Sequence, residues 1–180
     1  RVMKKTIAYL EEELGLIVNM EKSRIAPIKD ITFLGFQILV GKIRVSNKAR
    51  VRFKKKVREL THRNNPLSMH QVIQELNKYL RGWVAYFGIQ EFKYLFRNLD
   101  GWIRSRLRST QLKKWKKPRK FQRIMIKAGF APKEAHRVWI RMDRWQSVTR
   151  RQVRFVMNLE WFRERGLVFL HDFTIAFSRS

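Results

Sequence analysis

The chain has 180 residues, with 41 Lys and Arg against 14 Asp and Glu, and a formal net charge of +27 at pH 7. At 44% hydrophobic and 13% aromatic residues it is too apolar for a disordered basic tail, and it is long enough for one domain or two small ones. The absence of Cys excludes disulfides, thiolate zinc sites and a cysteine nucleophile, and no apolar run approaches the roughly 18 residues of a membrane span.

The excess positive charge predicts a polyanionic partner. A compact chain with this charge repels itself unless a polyanion binds, so nucleic acid is the first interpretation and an anionic membrane surface the second. No acidic residue lies between Asp30 and Glu59 or between Asp100 and Glu134, and these two zones hold nine and twelve Lys and Arg. Solvated helix faces normally include acids, so the two zones favour a long track for phosphates.

The N-terminal part predicts one helix and a small amount of β structure. Apolar residues at helical spacing predict a helix over residues 1–14, which Gly15 ends. The segment "LIVN", residues 16–19, is typical of a short strand. The segment "ITFLGFQILVGKIRVS", residues 31–46, alternates like strands and predicts a β-hairpin with its turn at Val40-Gly41.

Three amphipathic helices are predicted next. The first begins near Ser46 and ends at "NNP", and its apolar residues lie opposite its cations. Ser68 and Gln71 have the spacing of a capping box and open the second helix, which Gly88 ends. The third runs toward Pro118. Short connections between three such helices predict a bundle.

The third helix and the segment after Pro118 complete the prediction. The helical period places Phe96 and Ile103 inward and the arginines Arg104, Arg106 and Arg108 largely outward. Beyond Pro118 we expect shorter helices: "RKFQRIMIKAG", one led by Pro132, and one opened by Thr149 and Gln152 that runs to Gly166.

The sequence contains no recognisable catalytic constellation of its own. The Asp residues are widely separated, and no Asp-Asp or Asp-x-Asp pair is present to hold two Mg²⁺ ions. The four His lack the spacing of a metal site, and there is no Gly-rich phosphate loop. No metal ligands are therefore predicted in this stretch.

Two motifs near the N-terminus resemble the end of a reverse transcriptase palm. The first is "LEEELGLIVNMEKSRI" and the second, close behind it, is "FLGFQI". In that family a helix and a Gly-Leu-x-x-Asn-x-x-Lys-Ser/Thr segment precede a Phe-Leu-Gly-Phe hairpin that grips the primer end. The matching residues are Gly15, Leu16, Asn19, Lys22 and Ser23, followed by Phe33, Leu34, Gly35 and Phe36.

Later segments narrow the resemblance to group II intron-encoded proteins. The segments "LNKYLRGWVAYFGI", "LDGWIRSRLRSTQLKKWKKP" and "MNLEWFRERGLVFL" look like their thumb and maturase (X) region. The expected fold is mainly α: a small hairpin from the end of the palm, a three-helix thumb bundle and a helical C-terminal maturase region. The expected domains are a palm edge at 1–45, a thumb and maturase X bundle at 46–117, and a basic helical region at 118–180.

The resemblance implies part of an RNA-directed DNA polymerase. The primer grip would be Phe33, Leu34, Gly35 and Phe36, with Gly35 allowing close approach to the primer sugar and the two rings fixing the hairpin against the palm. Lys22 is the candidate catalytic residue, assisting pyrophosphate departure as a proton donor or charge clamp; the alternative is a loop lysine that only contacts nucleotide phosphates. The Tyr-x-Asp-Asp carboxylates and their Mg²⁺ would lie before Arg1, so this stretch is predicted to be inactive alone.

The implied partners are group II intron RNA or another structured RNA, and an RNA/DNA template–primer, with no membrane. The predicted nucleic-acid-binding residues are Lys54, Lys55, Lys56, Arg58, Arg104, Arg106, Arg108, Lys113, Lys114, Trp115, Lys116, Lys117, Arg119 and Lys120. Trp115 lies between lysines, and base stacking and packing remain equal alternatives for it. A rival function is a stand-alone RNA-binding splicing factor without polymerase activity. The expected location is the bacterial cytoplasm, with an organelle as the alternative.

Overall fold

A computed structural model describes residues 2–115, 118–140 and 148–176. The chain forms two compact units, Arg1–Ser46 and Asn47–Ser180. The predicted fold class is confirmed, because a small sheet near the N-terminus is followed by helices. None of the described helices combines the length and the hydropathy that a membrane crossing requires. The functional domains at 1–45, 46–117 and 118–180 stay predictions.

The first unit begins with the expected helix. Helix α1, Val2–Ala8, continues as a π-helical turn over Tyr9–Glu13. Gly15 has a φ of +60°, and the Leu16 N–H donates to the Leu10 carbonyl at 2.9 Å, which closes the helix end. The prediction of a strand at residues 16–19 is wrong, because these residues pair with no other strand. Apolar side chains alone do not make a strand when no edge accepts its backbone hydrogen bonds.

Among the described residues, the sheet is antiparallel in the order β1-β2-β3. Its strands are β1, Thr32–Phe33, β2, Phe36–Leu39, and β3, Lys42–Val45. The predicted turn at Val40-Gly41 is confirmed, with Leu39 opposite Lys42 and a φ of +67° at Gly41. A second turn at Leu34-Gly35, where the resemblance implies a Phe-Leu-Gly-Phe hairpin, adds β1 to the sheet.

The second unit starts with the three predicted helices. They are α2, Asn47–Leu60, α3, Met69–Phe87, and α4, Lys93–Lys114. Aromatic rings join them, because Trp83 of α3 lies 4.4 Å from Phe53 of α2 and 5.7 Å from Phe96 of α4, measured between ring centroids. The Ser68 and Gln71 capping box is confirmed. Its reciprocal hydrogen bonds satisfy backbone groups that the first turn of α3 leaves unpaired.

The C-terminal part contains shorter helices. They are α5, Pro118–Lys127, α6, Pro132–Ile140, α7, Arg151–Val156, α8, Leu159–Arg163, and α9, Leu170–Ala176. Helix α9, which was not predicted, packs on α4 and α3. The predicted single helix from Thr149 to Gly166 is wrong. The chain leaves the helical path at Met157, where φ is −109° and ψ is 61°, and Asn158 caps α8 by accepting the Trp161 N–H.

Candidate nucleic-acid interface

The outer face of α2 carries a row of cations. Phe53 and Val57 are fully buried, so the helical period turns the residues between them toward solvent. Lys55, Lys56 and Arg58 are exposed and Lys54 is half-buried. Lys56 forms an exposed ion pair with Glu59 at 3.4 Å. We refer to Lys54, Lys55, Lys56 and Arg58 as the α2 row.

The α2 row continues onto α4 through Trp102. The Lys54 Nζ lies 5.7 Å from the centroid of the half-buried Trp102 ring, and the Arg58 guanidinium carbon lies 5.5 Å from it. Both distances are within the range of cation–π attraction. The ring therefore holds two cations of the row in place and extends the positive surface across two helices.

Other polar residues of α4 hold the loop between α2 and α3. We call them the loop-organising stripe of α4: Arg106, Thr110 and Lys114. Arg106 donates to the Thr61 hydroxyl at 3.3 Å and to the Thr61 carbonyl at 3.2 Å, and the Thr110 hydroxyl donates to the same carbonyl at 2.9 Å. The Lys114 Nζ donates to the Asn65 carbonyl at 2.7 Å and to the Leu67 carbonyl. Arg106 is only half-exposed, so its predicted outward orientation is wrong in part. The N–H groups of both cations are therefore used in hydrogen bonds within the protein.

Arg108 points inward, which contradicts its predicted outward orientation. Its side chain is 7% exposed and donates twice to the Met157 carbonyl, at 3.0 Å and 2.8 Å. Its guanidinium lies 5.4 Å from the Phe162 centroid. Burial, followed by the positive charges of Arg104 and Arg154, lowers the pKa of Arg108 to about 10. The helical period of α4 does not reveal that α7 and α8 cover this face, so the sequence alone could not place Arg108.

Arg104 lies one turn before Arg108 and is half-buried, so its outward prediction also fails in part. Its guanidinium carbon is 5.7 Å from the Phe169 centroid, and that of Arg163 lies at the same distance from the same ring. Burial lowers the pKa of Arg104. The negative charge of Asp100 raises it in part, and the positive charge of Arg154 lowers it again. Several guanidinium groups from α4, α7 and α8 therefore share one neighbourhood.

The segment around the end of α4 divides into exposed lysines and a packed tryptophan. Lys113 is exposed, and so are Arg119 and Lys120 in α5. Trp115 is 7% exposed and its ring lies 5.7 Å from that of Phe121. Of the two alternatives for Trp115, packing is therefore the one that the structure shows. Two further predicted binding residues, Lys116 and Lys117, lie outside the described residues.

The predicted primer-grip residues form the first turn of the sheet. Phe33 pairs with Phe36, and the two residues between them, Leu34 and Gly35, have φ values of 49° and 82°. Two positive φ angles in a two-residue loop are characteristic of a type I′ turn, which suits the twist of an antiparallel hairpin. Phe36 is buried, whereas Phe33 and Leu34 are 63% and 65% exposed. The expectation that the two rings fix the hairpin against the palm stays a prediction.

Lys22 lies on an exposed turn that Asn19 organises. The Lys22 backbone N–H donates to the Asn19 side-chain oxygen at 3.1 Å and to its carbonyl at 3.2 Å. An Asn that hydrogen-bonds the backbone ahead of it stabilises such a turn. This contact gives the Asn-x-x-Lys spacing a structural reason, and it leaves the Lys22 side chain in solvent.

Asn77 and Asp100, which the sequence analysis did not identify, attach the C-terminal segment to α3 and α4. Asn77 donates to the Gly166 carbonyl at 2.7 Å and accepts the Val168 N–H at 2.9 Å. The Asp100 carboxylate accepts the backbone N–H groups of Leu170 at 2.9 Å and His171 at 3.1 Å. A signal for Asp100 was present, because an Asp on the apolar stripe of a helix needs a buried partner.

Burial also perturbs Asp100 itself. Desolvation raises the pKa of its carboxyl from 3.8 to about 6, while the two backbone donors and the charge of Arg104 act in the opposite direction. Elsewhere, in the parts of the chain that the structure describes, no group of three His, Asp or Glu side chains converges as a metal site would require.

Comparison with known proteins gives one family. The model of "Group II intron, maturase-specific domain" matches residues 50–129. The matched region begins in α2, includes α3 and α4, and ends after α5, so it contains the whole α2 row, Trp102 and the loop-organising stripe of α4. A search of curated proteins gives no match. The family match confirms the resemblance to group II intron maturases over residues 50–129, which are similar to the maturase-specific domain.

Proposed function

We propose that the chain binds group II intron RNA during splicing, and that it is the thumb and maturase portion of a reverse transcriptase that holds template–primer. The observation that carries the proposal is the position of the α2 row. Its cations lie inside the matched domain, on a helix face without acids other than Glu59. Such a surface neutralises successive phosphates and releases counterions, which is the main source of sequence-independent affinity for RNA.

The role in holding the primer rests on the first unit. The type I′ turn raises the Phe33 and Leu34 side chains into solvent, and the Ser46 N–H donates to the Gly35 carbonyl at 2.8 Å. A turn fixed in this way can contact a sugar and an adjacent base at the primer end. Lys22 is the candidate for assisting pyrophosphate departure, and Mg²⁺ would be held by carboxylates of the parent palm.

The proposal is tested by affinity for group II intron RNA and for an unrelated structured RNA of the same length, measured across a salt series. We expect the chain to prefer the intron RNA. Replacing Lys55 and Arg58 together by Ala should weaken binding and flatten the slope of log K against log salt by roughly 0.7 to 0.9 for each lost phosphate contact.

The matched control removes two exposed cations outside the domain, Lys133 and Arg137 of α6. This variant should retain the preference for intron RNA, with circular dichroism showing that both variants are folded. Equal affinity of the unmodified chain for the two RNAs would contradict an intron-specific function. A preserved preference with an unchanged slope in the Lys55 and Arg58 variant would show that the RNA lies elsewhere on the chain.

A further inference from the structure

Two arginines from two helices lie over the Phe169 ring, and a third acts on one of them. Arg104 of α4 and Arg163 of α8 each lie 5.7 Å from its centroid, and the charge of Arg154 on α7 lowers the pKa of Arg104. We name Arg104, Arg154 and Arg163 the Phe169 arginine cluster. Two of its members lie beyond residue 129, outside the maturase-specific domain.

In the described parts of the chain, no salt bridge joins the cluster to a carboxylate. Asp100, which acts electrostatically on Arg104, already uses both oxygens to accept backbone N–H groups. Bringing like charges together without salt bridges costs free energy, and a bound anion lowers that cost.

The burial of Phe169 and the exposure of the arginines favour contact with phosphates over contact with bases. Phe169 is 5% exposed, so its faces are not available to stack on a base. Arg154 and Arg163 are exposed and Arg104 is half-buried, which leaves guanidinium edges accessible to solvent. A planar guanidinium held over a ring presents its N–H donors in a fork that matches the oxygens of a phosphate.

We propose that the Phe169 arginine cluster is a phosphate-binding site for the RNA backbone, distinct from the α2 row. This inference rests on the proposed function, since it names a second contact surface for the same class of partner. Because phosphates and not bases are recognised, the site adds affinity for RNA without reading its sequence. It also gives the segment from α7 to α8 a direct part in RNA binding.

The test replaces Arg154 and Arg163 together by Gln and leaves the half-buried Arg104 in place. The probes are a single-stranded oligouridine and an RNA duplex of equal length, neither derived from an intron. We expect affinity for both probes to fall about tenfold, with the salt slope flattened by roughly 1.4 to 1.8 for two phosphate contacts. Arg137→Gln with Arg151→Gln is the matched control, because it removes two exposed arginines from the same part of the chain.

Arg163 is held over the Phe169 ring and therefore loses less side-chain freedom on binding than an unrestrained arginine, so the control should lose less than about threefold. A second variant, Arg154→Lys with Arg163→Lys, keeps the charge and removes the fork. It should retain most of the salt slope while losing affinity, and it remains informative if the Gln variant fails to fold. Equal losses in the Gln variant and in the control would overturn the proposal.

The probes separate this inference from the proposed function, because a failure to prefer intron RNA leaves the oligouridine and duplex measurements unaffected. Vesicles containing phosphatidylglycerol form a further arm. If the Gln variant loses vesicle binding but keeps its affinity for both RNA probes, the cluster recognises a membrane surface and the RNA site is refuted.

Discussion

Lys113 and Lys114 are neighbours in sequence with different surroundings. Lys113 is exposed, whereas the ammonium of Lys114 donates to the Asn65 and Leu67 carbonyls. Because hydrogen bonds to a charged donor contribute about 1.5–3 kcal/mol, we expect Lys114→Ala to lower the free energy of unfolding by about that amount. Lys113→Ala should change it by less than about 0.5 kcal/mol.

RNA binding by the Lys113→Ala and Lys114→Ala variants tests the same assignment in a second way. Lys113→Ala should flatten the salt slope by roughly 0.7 to 0.9, as expected for one phosphate contact. Urea unfolding and RNA titrations on both variants decide the assignment. Equal unfolding free energies for the two variants would mean that the Lys114 contacts do not stabilise the loop.

The helical period of a sequence predicts the burial of some residues correctly and of others wrongly. The period correctly places Phe53 and Val57 of α2 in the core, where both are fully buried. The same reasoning fails for Arg108, because the elements that cover it lie about fifty residues later in the chain and its acceptor is the Met157 carbonyl. Spacing along one helix identifies its apolar face, but it does not identify which of its polar residues another element will cover.

At the scale of elements, the best predicted boundaries were those with local causes. The start of α3 depends on Ser68 and Gln71, which are three residues apart and satisfy each other's backbone groups. The break between α7 and α8 at Met157 has a partner far away in sequence, since Arg108 of α4 holds the Met157 carbonyl. Local patterns therefore predicted the first boundary and missed the second.

Asp100 makes the attachment of α9 to α4 dependent on pH. Its folded-state pKa of about 6 lies above the ordinary 3.8, so the folded protein binds a proton more tightly than the unfolded chain. Stability from this group should therefore rise as the pH falls through about 6 and approach its full gain of about 3 kcal/mol only below the ordinary pKa of 3.8. Urea unfolding at several pH values between 4 and 7.5 measures the effect.

Asp100→Asn isolates this contribution, because the amide does not titrate. Asn offers one acceptor for two backbone donors, so a loss of about 1–3 kcal/mol that does not vary with pH is also expected. The quantity to compare is therefore the change in the free energy of unfolding with pH. In the variant this change should lack the contribution of the Asp100 carboxyl. Glu75→Gln, an exposed residue of α3, is the control and should retain the slope of the unmodified protein. Parallel curves for Asp100→Asn and the unmodified protein would contradict the buried-carboxyl explanation.

For the whole molecule, the expected activity is binding without chemistry. Two-metal phosphoryl transfer needs carboxylates that hold both ions, and the sequence has no paired Asp to do so. We therefore expect the purified 180-residue chain to show no Mg²⁺-dependent extension of a primer on an RNA template, even at concentrations where it binds the duplex. Incorporation of deoxynucleotides by this chain alone would refute its assignment to the thumb and maturase portion.

The attachment of the C-terminal segment has a consequence for how the protein can change. Asn77, Asp100 and Arg108 hydrogen-bond to main-chain carbonyl and N–H groups of the segment, and Arg108 also lies over the buried Phe162 ring. Every residue except proline supplies both of these groups. The exposed side chains between Asn158 and Arg165 can therefore be exchanged without loosening the anchorage. Evolution can therefore change the chemistry of this surface while the scaffold beneath it stays the same.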